Sequence, residues 1–337
     1  MRNLIKLWRI TPVTTNNKEI IDLSRDVIIA SARQCLTKVV TELGLNRTDY
    51  VGIPDYVGHC VIDFIGRRAT PVPISLLPKK SSSAILIYDQ WGWQKTLSAR
   101  LELRKIYPNA KIIWDRVDSL PLNYENEAIK RENETDVQLF SLSKTLGAGG
   151  GGLIWFTGEG WMQRDLCSDQ GLVDKLDALL NDVSVNKESH YKIDRFIRNE
   201  CICNSPDLEK WLSNVNVNAV VAKENKLRRE RIGIFDDRII KLLPNWMQNQ
   251  IKDTTLPAPG IFPIPLSKSG NTIATEVSVK FGIEASFLYH FNFNDSYLTP
   301  NWKKVLAIPL HSEVSDSLMK SLIKYITQDK FKESIGI

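Results

Sequence analysis

Asp136-Val-Gln-Leu-Phe-Ser-Leu-Ser-Lys-Thr-Leu-Gly-Ala-Gly-Gly-Gly-Gly-Leu-Ile-Trp155 is the stretch on which the reading of this chain turns. Two short apolar runs, 137–140 and 153–156, have the length and composition of strands. Between them lie Ser141, Ser143 and Lys144, then glycines at 147 and 149–152. The pattern predicts strand, turn, strand. A lysine so closely flanked by apolar strands is out of place in a solvated loop. Held in an apolar pocket it loses proton affinity, because burial penalises the ammonium form. The neutral amine that results is a nucleophile toward an aldehyde. The glycines let the backbone turn tightly and approach another surface. Taken alone, the same residues also read as a Gly-rich hairpin with a surface lysine.

Outward from this stretch, strand-like and helix-like segments alternate. Residues 26–43 carry apolar positions at helical spacing in their second half, with Ser31 as N-cap and Gly44 as stop. Tyr50 to Ile53 is strand-like, Val57 to Ile65 helix-like, Ala69 to Ile74 strand-like. Ser83 to Tyr88 is a strongly apolar strand, Gln94 to Ile106 an amphipathic helix, and Lys111 to Trp114 a strand ending at Asp115. This β-α-β cadence predicts an α/β fold with a mostly parallel, doubly wound sheet. In such sheets ligands bind outside the carboxyl ends of the strands. Asp115, Tyr88-Asp-Gln-Trp-Gly92 and Pro54-Asp-Tyr56 stand at ends of that kind.

Residues 160–225 are polar and helical in tone. An Arg-rich helix is expected from about Lys223 to Leu243, and a Pro-rich connector at 257–265. A strand candidate at 272–280, an aromatic loop at 287–293, Leu306 to Leu310 and a helix at about 314–327 complete a smaller α+β C-terminal domain. The expected division is 1–222 for the large domain with an N-terminal arm around Trp8 and Thr11-Pro12, and 223–337 for the small one.

Composition narrows the function classes. The 337 residues are 43% hydrophobic and 25% charged, ordinary for a globular protein. A net charge of +5, spread over 44 basic and 39 acidic residues, gives no footprint for nucleic acid. The five cysteines (35, 60, 167, 201 and 203) lack zinc-knuckle spacing and are expected to be reduced, as in the cytoplasm. Arg2, Lys6 and Arg9 are not followed by a signal-peptide apolar run, and no window of about 18 apolar residues exists to cross a membrane.

Four pieces together, Ser31-Ala-Arg-Gln-Cys-Leu36, Trp114-Asp-Arg-Val-Asp118, Ser141-Leu-Ser-Lys144 and Leu306-Ala-Ile-Pro-Leu-His-Ser312, resemble in order and spacing the DegT-type sugar aminotransferases, pyridoxal-phosphate enzymes of the aspartate-aminotransferase-like fold. The resemblance covers roughly residues 26–327. Ile283-Glu284 looks like part of the closing signature, and Leu227-Arg-Arg-Glu-Arg-Ile like the helix that opens the small domain. The resemblance implies pyridoxal 5'-phosphate as cofactor, held as a Schiff base on Lys144, which also serves as base once released. It implies Asp115 opposite the pyridine nitrogen, keeping the ring protonated. Asp118 falls near the ring hydroxyl, where the family usually has Gln or His. The phosphate would rest on the helix start at Ala32 and Arg33, with the Ser141 hydroxyl. Ala32 stands for the usual Gly. Gly58 stands where the family has an aromatic residue on the ring, so Tyr56 or His59 takes that part. Tyr289, His290 and Asn292 would lie near the substrate, and Gln90-Trp91-Gly92 would border the pocket.

The implied activity moves an amino group from an amino acid, with glutamate expected, to a keto sugar, expected to be nucleotide-linked. The implied assembly is a homodimer with shared active sites, to which Arg195, Arg198, Arg228 or Arg229 could contribute. Another reaction of the same cofactor, a dehydration, racemisation or decarboxylation, stays open. So does a binding protein that keeps the fold without catalysis. A dinucleotide site at Gly147–Gly152 is disfavoured, because its glycines lead into a strand rather than a helix.

Overall fold

The computed structural model describes residues 5–6, 12, 27–29, 31–78, 82–121, 136–148, 151–156, 205–267, 271–284, 290–329, 331 and 335. The expectations for the arm around Trp8 and Thr11, for Cys167, Cys201 and Cys203, for Arg195 and Arg198, and for Tyr289 lie outside these residues.

The N-terminal elements are β1 (Val27–Ile29), α1 (Ala32–Glu42), β2 (Tyr50–Ile53), α2 (His59–Gly66), β3 (Thr70–Pro73), β4 (Ser82–Tyr88), α3 (Leu97–Ile106), β5 (Lys111–Asp115), β6 (Val137–Ser141), α4 (Leu142–Leu146) and β7 (Gly152–Phe156). Their strands form one seven-stranded sheet in the order β1-β7-β6-β5-β4-β2-β3. The pairs β2/β3, β2/β4, β4/β5 and β5/β6 are parallel, while β7 runs antiparallel to both β6 and β1. This is the mostly parallel α/β sheet that the cadence predicts. β6 is buried throughout, as a strand covered on both faces must be.

Strand period two sorts the side chains onto the two faces. Ala84, Leu86, Ile113, Val137 and Leu139 pack with Cys35, Val39 and Val40 of α1 and with Phe64 and Ile65 of α2. Ile85, Ile87, Ile112 and Trp114 pack on the other face with Leu103 and Tyr107. Continuing the alternation one step places Tyr88, Asp115 and Ser141, the last residues of three neighbouring strands, on the α1/α2 face.

The C-terminal elements are α5 (Ser205–Asn214), α6 (Val217–Ile232), α7 (Asp237–Ile240), α8 (Asn245–Lys252), β8 (Ile261–Pro265), α9 (Asn271–Phe281), β9 (His290–Asn292), β10 (Trp302–Pro309) and α10 (Asp316–Ile326). β8, β10 and β9 form an antiparallel sheet, in that order. Its core takes in Trp91 and Trp93 from the end of β4. The small body is thereby seated against the strand ends where ligands bind.

Several local expectations change. The Arg-rich helix expected over 223–243 is two: α6, which starts earlier at Val217 and ends at Ile232, and the short α7. The Pro-rich connector contains β8, whose prolines carry no amide hydrogen and so suit an edge strand. The strand candidate at 272–280 is α9: Ile273, Ala274 and Val277 are buried at spacings of one and three, the helical repeat. The aromatic loop includes β9. Among the described residues no helix is long and apolar enough to cross a membrane.

Candidate active site

Lys144 stands on α4, one and a half turns of helix, rather than in the expected turn. Ser141 explains this: its Oγ accepts from the Lys144 amide at 3.3 Å and caps the helix, while Gly147 closes it at φ 66°. α4 is also tied to the C-terminal body. Buried Arg228 donates through Nη2 to the Thr145 carbonyl at 3.1 Å and through Nε to Glu224 at 3.1 Å. The Ser312 hydroxyl donates to Glu224 at 2.7 Å. Two pieces far apart in sequence, 224–228 and 311–312, thus support the helix that carries the lysine.

The Lys144 ammonium donates to Asp118 Oδ1 at 3.0 Å. Asp118 is fully buried, and its Oδ2 accepts from the Trp91 amide at 3.1 Å and from the Tyr88 hydroxyl. The Trp91 amide reaches it because Trp91 adopts φ 59°, a left-handed conformation rare for a bulky residue. Next to it, Gly92 at φ 85° leaves no room for a side chain: an added Cβ would lie 3.1 Å from the Asp118 carbonyl oxygen.

The lysine is not held neutral in an apolar pocket, as its neighbours in sequence suggest. Its side chain keeps 42% exposure. Burial pulls its proton affinity down, but Asp118, then Asp115, and the hydrogen bond to Asp118 outweigh burial and raise it above the ordinary lysine value. Asp115 is itself buried, with Oδ1 accepting from the Val117 amide at 3.1 Å. Burial lifts its carboxyl to about 7, against the pull of that amide and of Lys144. Burial, then Asp118 and Asp115, push the Tyr88 phenol well above its usual range, so it stays a donor.

The start of α1 arrives from the side. Ser141 pairs with Gly152 across β6 and β7. Gly152 lies under Ala32, where an added Cβ would come 2.7 Å from the Ala32 nitrogen and clash with Cys35 Sγ. Ala32 and Arg33 are the first two residues of α1, whose Ser31 cap accepts from the Gln34 amide at 3.3 Å.

The structure therefore gathers Ala32, Ser141, Lys144, Asp115 and Asp118 around one end of the sheet. The two ring-stacking candidates are both exposed. Tyr56 is 54% exposed and stacks on His290, ring centroids 5.2 Å apart, and leans on Trp302 at 4.8 Å. His59 is exposed at the first residue of α2. Tyr88 was not among the candidate residues. Its signal was available: it ends an apolar strand beside Asp115 and shares the parity of Leu86.

A parallel sheet with one reversed strand, a lysine following the strand next to it and a carboxylate ending its neighbour form the arrangement expected from the resemblance to pyridoxal-phosphate transferases. Residues 17–330 match the family described as "Putative PLP-dependent aminotransferase", and the chain belongs to it; it is a pyridoxal-phosphate-dependent aminotransferase. Solved structures show the same fold. The DegT DnrJ EryC1 StrS aminotransferase from Brucella abortus is 13% identical, covering 89% of this chain and 84% of that one at a TM-score of 0.53. NtdA from Bacillus subtilis, with bound PMP cofactor, is 13% identical, covering 90% of this chain and 73% of that one at a TM-score of 0.56. No curated protein matches the sequence significantly.

Proposed function

We propose that this aminotransferase moves an amino group from an amino acid, glutamate being the expected donor, to a keto sugar, and that Lys144 and Asp115 carry the chemistry. The observation that carries the residue assignment is the convergence of Lys144, Asp115 and Asp118 on one face of adjacent strand ends. The sugar acceptor rests on the order of the four sequence pieces, and its nucleotide linkage is part of the same reading.

The donor set fits the cofactor. Asp115 is a buried carboxyl whose proton affinity is raised by burial, so a ring N–H beside it would relieve the cost of its charge. The α1 start and the Ser141 hydroxyl provide an anion cradle of amide donors and a hydroxyl. When bound, pyridoxal 5'-phosphate supplies an aldehyde that condenses with amines and a protonated ring that takes up electrons. Lys144 Nζ, an ammonium in the resting chain, must lose a proton before it can act as a nucleophile, and Asp118 Oδ1, 3.0 Å away, is within reach as an acceptor. With the cofactor bound, Lys144 would hold it through Nζ, and the free Nζ would move the proton on the substrate's α carbon. Tyr88, protonated, holds Asp118 in place by donating to its Oδ2. The assembly in this reading is a homodimer with shared sites, which sedimentation in solution tests.

Borohydride treatment of the yellow protein should fix the cofactor to the peptide containing Lys144. With an amino acid and no acceptor, one equivalent of keto acid should appear per chain. Labelling elsewhere would remove Lys144 from its role; labelling without keto acid release would favour another reaction of the same cofactor. A panel of keto sugars, free and nucleotide-linked, then tests the acceptor.

A further inference from the structure

A second cleft opens at the carboxyl ends of β2 and β4, lined by Pro54, Tyr88, Trp93, Lys95, Trp246 and Trp302 among others. It adjoins the catalytic residues through Tyr88, whose hydroxyl binds Asp118. Its walls are rich in aromatic rings. Among its polar residues, Asp55, Gln90, Asn292 and Lys95, the lysine is buried, 7% exposed. The ammonium donates to the Asn294 carbonyl and lies 4.6 Å from the Trp246 ring centroid and 5.9 Å from that of Tyr297. A buried lysine is costly unless something answers its charge.

The neighbouring carboxylates have other partners. Asp295 accepts from the Thr96 amide at 2.9 Å and from the Thr96 hydroxyl. Asp89 is 3.8 Å from Arg116 Nε. Asp55, on the cleft wall, accepts from the Ser75 hydroxyl at 2.7 Å. Arg100, also buried, donates to the Lys95 carbonyl at 2.6 Å. Lys95, Arg100 and Arg116 thus stand among Asp89, Asp295 and the wall's Asp55, and the group that the Lys95 ammonium binds directly is the neutral Asn294 carbonyl.

We propose that this cleft is a substrate subsite that takes an acid carried on a hydrocarbon body, with Lys95 as counter-ion to the carboxylate remote from the reacting carbon and the aromatic rings packing the hydrocarbon. It rests on the aminotransferase reading in that it sets this acid beside Asp118 as one of the two co-substrates. Burial pulls the Lys95 ammonium down to about 8, opposed by Asp295 and Asp89, so it carries its charge at neutral pH and loses it in mild alkali.

The test is titration of the intact protein with 3-phenylpropionate and, for comparison, 3-phenylpropanol, read by tryptophan fluorescence, since Trp93, Trp246 and Trp302 line the cleft. The acid should bind and the alcohol should bind at least about tenfold more weakly, the scale of one charge-assisted hydrogen bond. Lys95→Met should abolish that preference. If Lys95→Met does not fold, the wild-type pH profile decides: affinity for the acid should fall roughly tenfold between about pH 7 and about pH 9, and that for the alcohol should not. Equal affinity for acid and alcohol, or a preference that survives both Lys95→Met and alkaline pH, overturns the subsite. Lys144→Ala should leave acid binding unchanged. Borohydride labelling of Lys144 without acid binding therefore sinks the subsite alone, whereas acid binding without labelling sinks the catalytic reading.

Discussion

Asp118→Asn isolates the charge on which the resting state of Lys144 depends. The replacement has the same shape, and its amide oxygen can still accept from Tyr88 and the Trp91 amide; the negative charge goes, and with it the acceptor that faces Lys144. Two unit charges 3.0 Å apart attract by about 5 kcal/mol at an effective dielectric near 20. Because the Lys144 side chain is 42% exposed, solvent screens most of this, leaving about 1–2 kcal/mol. The folded-state value for Lys144 is raised, so the ion pair's stabilisation is full below the ordinary lysine value of 10.5 and is lost only as pH rises above it. Asp118→Asn should thus cost the cofactor-free protein about 1–2 kcal/mol at neutral pH. The direct assay is competitive acylation of Lys144 with acetic anhydride across a pH series, quantified by mass spectrometry. The lysine in Asp118→Asn should titrate lower than in wild type, because the carboxylate that raises it is gone. An unchanged midpoint would show that Asp118 does not set the charge of Lys144, and the proton path proposed above would fail with it.

Asp115 has the opposite sign. Its carboxyl is raised from 3.8 to about 7, so the folded protein is least burdened at low pH and loses stability as pH rises toward 7. Denaturation of the cofactor-free protein should show a loss between about pH 4 and about pH 7 that is smaller in Asp115→Asn, with an upper limit on the order of 4 kcal/mol; parallel profiles would refute it. Asp115→Asn should also lower turnover more than it lowers folding stability, measured by amino-donor half-reaction and by denaturation. Gly152→Ala should cost about 1–3 kcal/mol of overpacking against Ala32 and Cys35, and should release the cofactor faster on dilution; wild-type release would remove the α1 start from the site. Ser141→Ala removes the cap of α4 and should destabilise by about 1 kcal/mol, with faster amide exchange at Lys144 as the specific readout.

Much of this protein could be read from local sequence. Apolar runs of strand length separated by amphipathic segments specify the parallel sheet, because each strand is buried on both faces by its own neighbours in sequence. Ser31 before a helical repeat and Gly44 after it mark α1, since capping depends only on adjacent residues. The positions of Asp115, Ser141 and Lys144 at strand ends follow from the same pattern. Tertiary structure decided what these residues experience. A glycine-rich stretch with a lysine predicts a turn, yet Ser141 and the distant Arg228 hold it as a helix. Apolar flanks predict a neutral amine, yet Asp118, brought in 26 residues away and fixed by Tyr88 and a left-handed Trp91, keeps it charged. Helix α9 passed for a strand because β-branched residues suit either, and only the core it packs against selects one. Charge states and close approaches depend on what lies across space, and a chain read along its length records that only weakly.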